Sequence, residues 1–143
     1  NLSAALIRPK ARTPMLDVHI DDFFRDVAVT LLTGLQQFPA PRTLFVEDVC
    51  GPDEMDEFGL HSPRHLAALG AIQWLRDEEY VRFGIVDRQE SVDDFVLSSK
   101  AFTRLLRQPD ESDEPLFRRL HSAVQESDSE LIRRLLREEF LEA

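Results

Sequence analysis

Residues 62–85 read SPRHLAALGAIQWLRDEEYVRFGI, and two different periods meet inside them. Ser62 before Pro63 is a strong helix start, with Ser as N-cap and Pro at the first helical position. Leu66, Ala67, Ala68, Leu69, Ala71, Ile72, Trp74 and Leu75 then carry a helix to about Glu78. From Tyr80 the period shortens to two, with Val81, Phe83 and Ile85 on one face and Tyr80 and Arg82 on the other. Residues 94–97 (DFVL) read as a return strand beyond a polar stretch, 87–93. The expectation is a helix feeding a β-hairpin with a long, glycine-free tip.

Upstream, the pattern from Asp17 to Phe38 is helical. Phe23, Phe24, Val27, Ala28, Leu31, Leu32, Leu35 and Phe38 fall on one arc, and Asp22, Arg25, Asp26, Thr30, Thr33, Gln36 and Gln37 on the other. Asp17 or Asp21 is the expected cap, and Pro39 and Pro41 end the helix. Residues 43–49 (TLFVEDV) fit a short strand or a single helical turn, and residues 51–59 (GPDEMDEFG) an acidic loop. Downstream, Ser98 or Ser99 caps a short helix containing Ala101, Phe102, Leu105 and Leu106. Two amphipathic helices follow a charged linker, the second with capping-box spacing between Ser127 and Glu130. The fold class expected is therefore α+β, mostly α. It divides into a basic arm (1–14), a main body (15–107) and a C-terminal helical hairpin (108–143).

This order of elements resembles the winged helix-turn-helix superfamily over about residues 17–107. The step Leu75-Arg76-Asp77-Glu78-Glu79-Tyr80-Val81 is similar to that family's passage from third helix to wing, with Glu79 where glycine is usual. Leu97-Ser98-Ser99-Lys100 is similar to the exit from the second wing strand. The resemblance implies a two-stranded wing that touches phosphate and a third helix that reads bases. Base reading needs Arg, Lys, Asn or Gln on the exposed face. Here Ser62, His65, Gln73 and Arg76 make one narrow stripe broken by Leu69, and apolar side chains with Gly70 fill about 240° of the rest. The third helix is thus expected to be buried on two sides, the second covered by the C-terminal helices or by a partner chain.

Charge agrees with that reading. The chain of 143 residues carries a formal −10, which opposes non-specific attraction to phosphate or anionic lipid. By segment the sums are +3 for 1–14, −8 for 15–61, 0 for 62–107 and −5 for 108–143. DNA contact is disfavoured rather than excluded, because Arg8, Lys10, Arg12, Arg82, Arg88, Lys100, Arg104 and Arg107 would form a patch if they converged.

One cysteine, Cys50, allows no internal disulfide and fits a reducing, cytoplasmic setting. The longest apolar run, 27–32, is broken by Thr30 and is far too short to span a membrane. A chain that starts at Asn1 is expected to have been processed or trimmed, and residues 1–7 are too short for a signal-peptide core. Glu47, Asp48, Asp53, Glu54, Asp56, Glu57, His61 and His65 hold every residue type of a carboxylate-histidine metal site. Ser62-Pro63 places His61 before the helix, so the two histidines are not expected to share a face, and the stretch reads as a solvated acidic loop. No nucleophile with a base and no glycine-rich phosphate loop is visible, so neither an enzyme nor a cofactor is expected.

The function expected is a non-catalytic winged-helix domain that binds another protein or itself as a homodimer. Leu66, Leu69 and Trp74 of the third helix, with Leu116, Phe117, Leu131, Leu135 and Phe140 of the tail, are its expected contact residues. A dimeric DNA-binding regulator using the wing and the arm is the alternative, and a metal-dependent enzyme at the acidic loop the third reading.

Overall fold

The computed structural model describes residues 14–110 and 114–142. Helix α1 (Pro14–Gln37) leads into β1 (Arg42–Phe45), a short α2 (Val46–Cys50) and, after the acidic loop, α3 (Pro63–Asp77). A hairpin follows, its first arm split into β2 (Val81–Arg82) and β3 (Val86–Asp87), its second a single strand, β4 (Ser91–Leu97). Then come α4 (Ser99–Leu105), α5 (Leu116–Gln125) and α6 (Ser129–Leu135), the last running into a π-helical turn, Leu136–Leu141. The architecture is α+β and mostly helical, with one small antiparallel sheet in the order β1-β4-β2 and β3 also paired to β4. None of the helices among the described residues is long and apolar enough to cross a membrane.

Several local expectations are met and others corrected. Ser62 caps α3 by accepting from the His65 N–H at 3.2 Å, and Ser98 caps α4 by accepting from Ala101 N–H. Residues 43–49 contain both alternatives in turn, a strand and then a helical turn. Helix α1 begins at Pro14, ahead of both aspartates proposed as its cap. Asp128, not Ser127, caps α6, accepting from Leu131 N–H, while Ser127 takes a left-handed φ of 53°. The hairpin tip is tight rather than long. Glu90 N–H donates to the Asp87 carbonyl at 2.8 Å across Arg88 and Gln89, both left-handed (φ 52° and 61°). That geometry is normally signalled by Asn or Gly, so its sequence gave no sign of it.

One hydrophobic core runs through body and tail. Val27, Ala28 and Leu31 of α1 share it with Ile72 and Leu75 of α3, Phe95 and Leu97 of β4, and Leu120, Ile132, Leu136 and Phe140 of the tail. The tail hairpin packs on α1, and its final turn on α4, whereas α3 packs on α1, α2 and β2. The second side of α3 is thus closed mainly by the body itself rather than by the C-terminal helices. Being covered by both the tail and α3, α1 buries Asp26 and Thr30 from its supposed polar arc. Asp26 is tolerated there because Arg64 of α3 meets it end-on, Nη1 and Nη2 each 2.7 Å from a carboxylate oxygen.

Gly34 marks where α1 crosses β4. A Cβ there would stand 2.7 Å from Leu97 Cδ2 and 2.9 Å from Leu97 Cγ, and Leu97 is itself buried. Gly34→Ala is expected to destabilise the protein by about 1–2 kcal/mol, overpacking outweighing the roughly 1 kcal/mol that alanine adds to a helix. A urea midpoint that stayed level or rose would show slack at this crossing.

Candidate functional site

The residues expected to make contacts fall into distinct environments. Leu69, Leu116, Leu135 and Phe140 are buried in the chain's own core, where they bind the molecule together and present no surface. Trp74, Phe117 and Leu131 are half-buried against that core, and Leu66 is exposed. Arg8, Lys10 and Arg12 lie outside the described residues. Lys100 and Arg104 come together at Tyr80 but are engaged there. Lys100 Nζ donates to the Glu78 carbonyl at 2.9 Å and sits 4.2 Å from the Tyr80 ring centre. Arg104 Nη1 donates to Tyr80 Oη and to the Phe140 carbonyl, both at 2.9 Å. Arg82 and Arg88 are exposed at the base and the tip of the hairpin. Arg107 is exposed after α4. Among the described residues these side chains do not form one patch.

Two features were not foreseen. The first is an open groove between α1 and α5, about 460 Å³, lined by Val29, Leu32, Leu35, Phe117, His121 and Val124 together with Thr33 and Gln36. No carboxylate lines it, on a chain of net charge −10. Leu32 and Leu35 were legible as part of an apolar arc that did not include Val29. That part of the arc would face outward was not, because it depends on where the tail docks.

The second lies in the acidic loop. Contrary to the expectation that they share no face, His61 and His65 stack, with ring centres 4.1 Å apart and planes 7° from parallel. Asp53 holds the arrangement. Its carboxylate accepts from Ser62 Oγ and N–H and from His61 Nδ1 at 2.7 Å, and these hydrogen bonds, Ser62 first, lower its pKa to about 2. The Asp53 carboxylate in turn raises His61 above the usual histidine range. His61 Nε2 lies 3.3 Å from the Arg88 carbonyl, and His65 Nε2 donates to the Gln89 carbonyl at 2.7 Å. A neighbouring pocket of about 280 Å³ is lined by these three residues with Phe45, Glu47, Asp48, Met55 and Glu90.

No protein-family model, no curated protein and no solved structure matches the chain. Nucleophilic chemistry finds no support from Cys50, whose thiol is pushed up by burial rather than activated.

Proposed function

We propose that the chain is a winged-helix-like interaction module that pairs with a second copy of itself through the groove between α1 and α5. The observation that carries this is the groove's lining, apolar and free of carboxylates. Two copies of an acidic chain can approach there without bringing like charges together. Its occupant would be the first turns of α1 from the other copy, where Met15, Leu16, Val18 and Ile20 are exposed. On a helical wheel Met15, Val18, Val29 and Leu32 lie along one side of α1, with Asp22 and Arg25 on the same side between the two pairs. An antiparallel pairing about a twofold axis would set Val18 against Val29 and Met15 against Leu32 at both ends, the self-complementarity such an interface requires.

The winged-helix part of the reading is supported by the element order and by the placement of β4 between β1 and β2. Its use for interaction rather than base reading is supported by α3, whose outward positions include Leu66 and Gly70, neither able to hydrogen-bond a base edge. The basic residues near the hairpin add nothing in favour of DNA, since Lys100 and Arg104 already serve Tyr80. No catalytic step is part of this proposal.

Sedimentation velocity over a wide concentration range tests it. The unmodified chain is expected to form a concentration-dependent dimer, and Val29→Glu, at a half-buried position that tolerates a charge in the monomer, to weaken it about 30-fold. A chain that stays monomeric at millimolar concentration would overturn the reading, as would a dimer indifferent to Val29→Glu.

A further inference from the structure

We propose that Asp53, His61 and His65 bind one divalent first-row transition-metal ion, Zn²⁺ being the probe, through Oδ2 of the carboxylate and Nδ1 of each imidazole. The three ligand atoms lie within 4.8 Å of one another. Asp53 Oδ2 is 2.7 Å from His61 Nδ1 and 3.6 Å from His65 Nδ1, distances that bracket the roughly 3.3 Å between neighbouring ligands on a tetrahedral zinc ion.

His65 points to a ligand independently of the acidic loop. Its side chain is 1% exposed. A carbonyl can only accept, so Nε2 carries the proton shared with Gln89, and in the neutral ring Nδ1 is left with a bare lone pair. That lone pair has no hydrogen-bond partner, and the nitrogen lies 3.6 Å from a carboxylate oxygen of Asp53, just beyond hydrogen-bonding reach. A buried acceptor facing an anion is costly unless a cation joins them.

The outer contacts have the form that metal-bound histidines take. Such a histidine donates its remote N–H to a carboxylate or backbone carbonyl, which fixes the tautomer and turns the other nitrogen toward the metal. Here both rings set Nε2 on consecutive carbonyls, Arg88 for His61 and Gln89 for His65. Because the rings stack within 7° of parallel, His61, the more exposed and more loosely held of the two, has to turn out of the stack for both Nδ1 lone pairs to meet one ion. The left-handed turn at the hairpin tip is what aims those two carbonyls at the two rings. Glu47, Asp48 and Glu90 complete a lining with no Lys or Arg. The surroundings are therefore strongly negative, and all three residues line the pocket. Two imidazoles with a carboxylate favour zinc and its neighbours over calcium or magnesium.

In the metal-free protein the position between Asp53 and His61 is served by the proton on His61 Nδ1. Metal binding sends that proton to solvent and makes the same nitrogen a ligand. The ion would join three segments, the acidic loop, the start of α3 and the hairpin tip, and its site is separate from the self-association groove.

The test uses the full chain stripped with a chelator and then titrated with Zn²⁺ by calorimetry, with Co²⁺ absorption as a reporter of nitrogen and oxygen ligation. One ion per chain and a raised melting temperature are expected. His61→Gln and Asp53→Asn should each lower the affinity at least about 100-fold, while His19→Gln binds as the unmodified chain does. Melts in chelator establish that each variant is folded, and His61→Gln carries the test if Asp53→Asn, which also loses contacts to Ser62, is not. A folded chain that takes up no ion, or one whose uptake is unaffected by His61→Gln, would overturn the assignment.

Discussion

Phe140→Ala is expected to lower stability by about 3–5 kcal/mol, a large share of the 5–15 kcal/mol that holds a domain of this size together. Phe140 sits in the final turn of the tail yet is fully buried, its ring 4.7 Å from that of Tyr80. Tyr80 belongs to the junction between α3 and β2, so the contact ties the last helical turn to the middle of the body. Truncation leaves a cavity the size of a phenyl ring beside Leu105, Leu136 and other fully buried neighbours in the same core. It also loosens the backbone whose Phe140 carbonyl accepts from Arg104. Urea unfolding followed by both far-UV circular dichroism and Trp74 fluorescence checks this. One coincident transition, shifted to lower urea, is the expected result. A tail signal that melts first while Trp74 keeps its native emission would show that the tail is a separate unit.

The second large effect belongs to the ion pair between α1 and α3. Asp26 is 1% exposed and Arg64 34%. Burial raises the Asp26 carboxyl above the usual carboxylate range, and the Arg64 guanidinium opposes that rise. Arg64→Met leaves the carboxylate without its partner. About 2–3 kcal/mol should be lost at neutral pH, the lower side of the range for a buried pair because Arg64 is partly solvated. The loss should shrink on acidification. A carboxyl whose folded pKa lies above its unfolded value binds its proton more tightly when folded, so stability rises as pH falls through that window. In the variant, which lacks the guanidinium that opposes the rise, the proton takes the guanidinium's place, and the gap to the unmodified chain narrows on acidification. Asp26→Asn combined with Arg64→Met should recover part of the loss, since no charge is then buried. Equal stability of Arg64→Met and the unmodified chain at pH 7, or a gap that does not change with pH, would sink this account.

What could be read from the sequence was local and periodic. Ser62-Pro63, Ser98 and the helical period of α1 act over a few residues, and each is found in place, whereas the alternation from Tyr80 ends after Arg82, with Tyr80 buried and Ile85 exposed. What could not be read depends on contacts between distant segments. Asp26 looked like a solvent-facing residue until α3 brought Arg64 to it, and Phe140 looked like part of a contact surface until the tail docked on α1. The histidine pair shows the limit most clearly. A helical wheel places His61 outside the helix and so away from His65. The ring is nevertheless folded over its neighbour because Asp53, eight residues earlier, holds both His61 and the Ser62 cap, and because a turn without glycine lifts two carbonyls to meet the rings.

The pairing of α1 with α6 has a consequence for how the chain is made. Arg133 Nη1 reaches Asp21 at 3.0 Å across 112 positions of sequence, so α1 is completed by a helix synthesised more than a hundred residues after it. While the ribosome adds the intervening residues, the side of α1 that carries Val27 and Leu31 has no tail to cover it. Contacts of such long sequence separation slow folding and lengthen the exposure of sticky intermediates. Until the tail has emerged, α1 therefore depends on whatever else shields the side on which the tail packs.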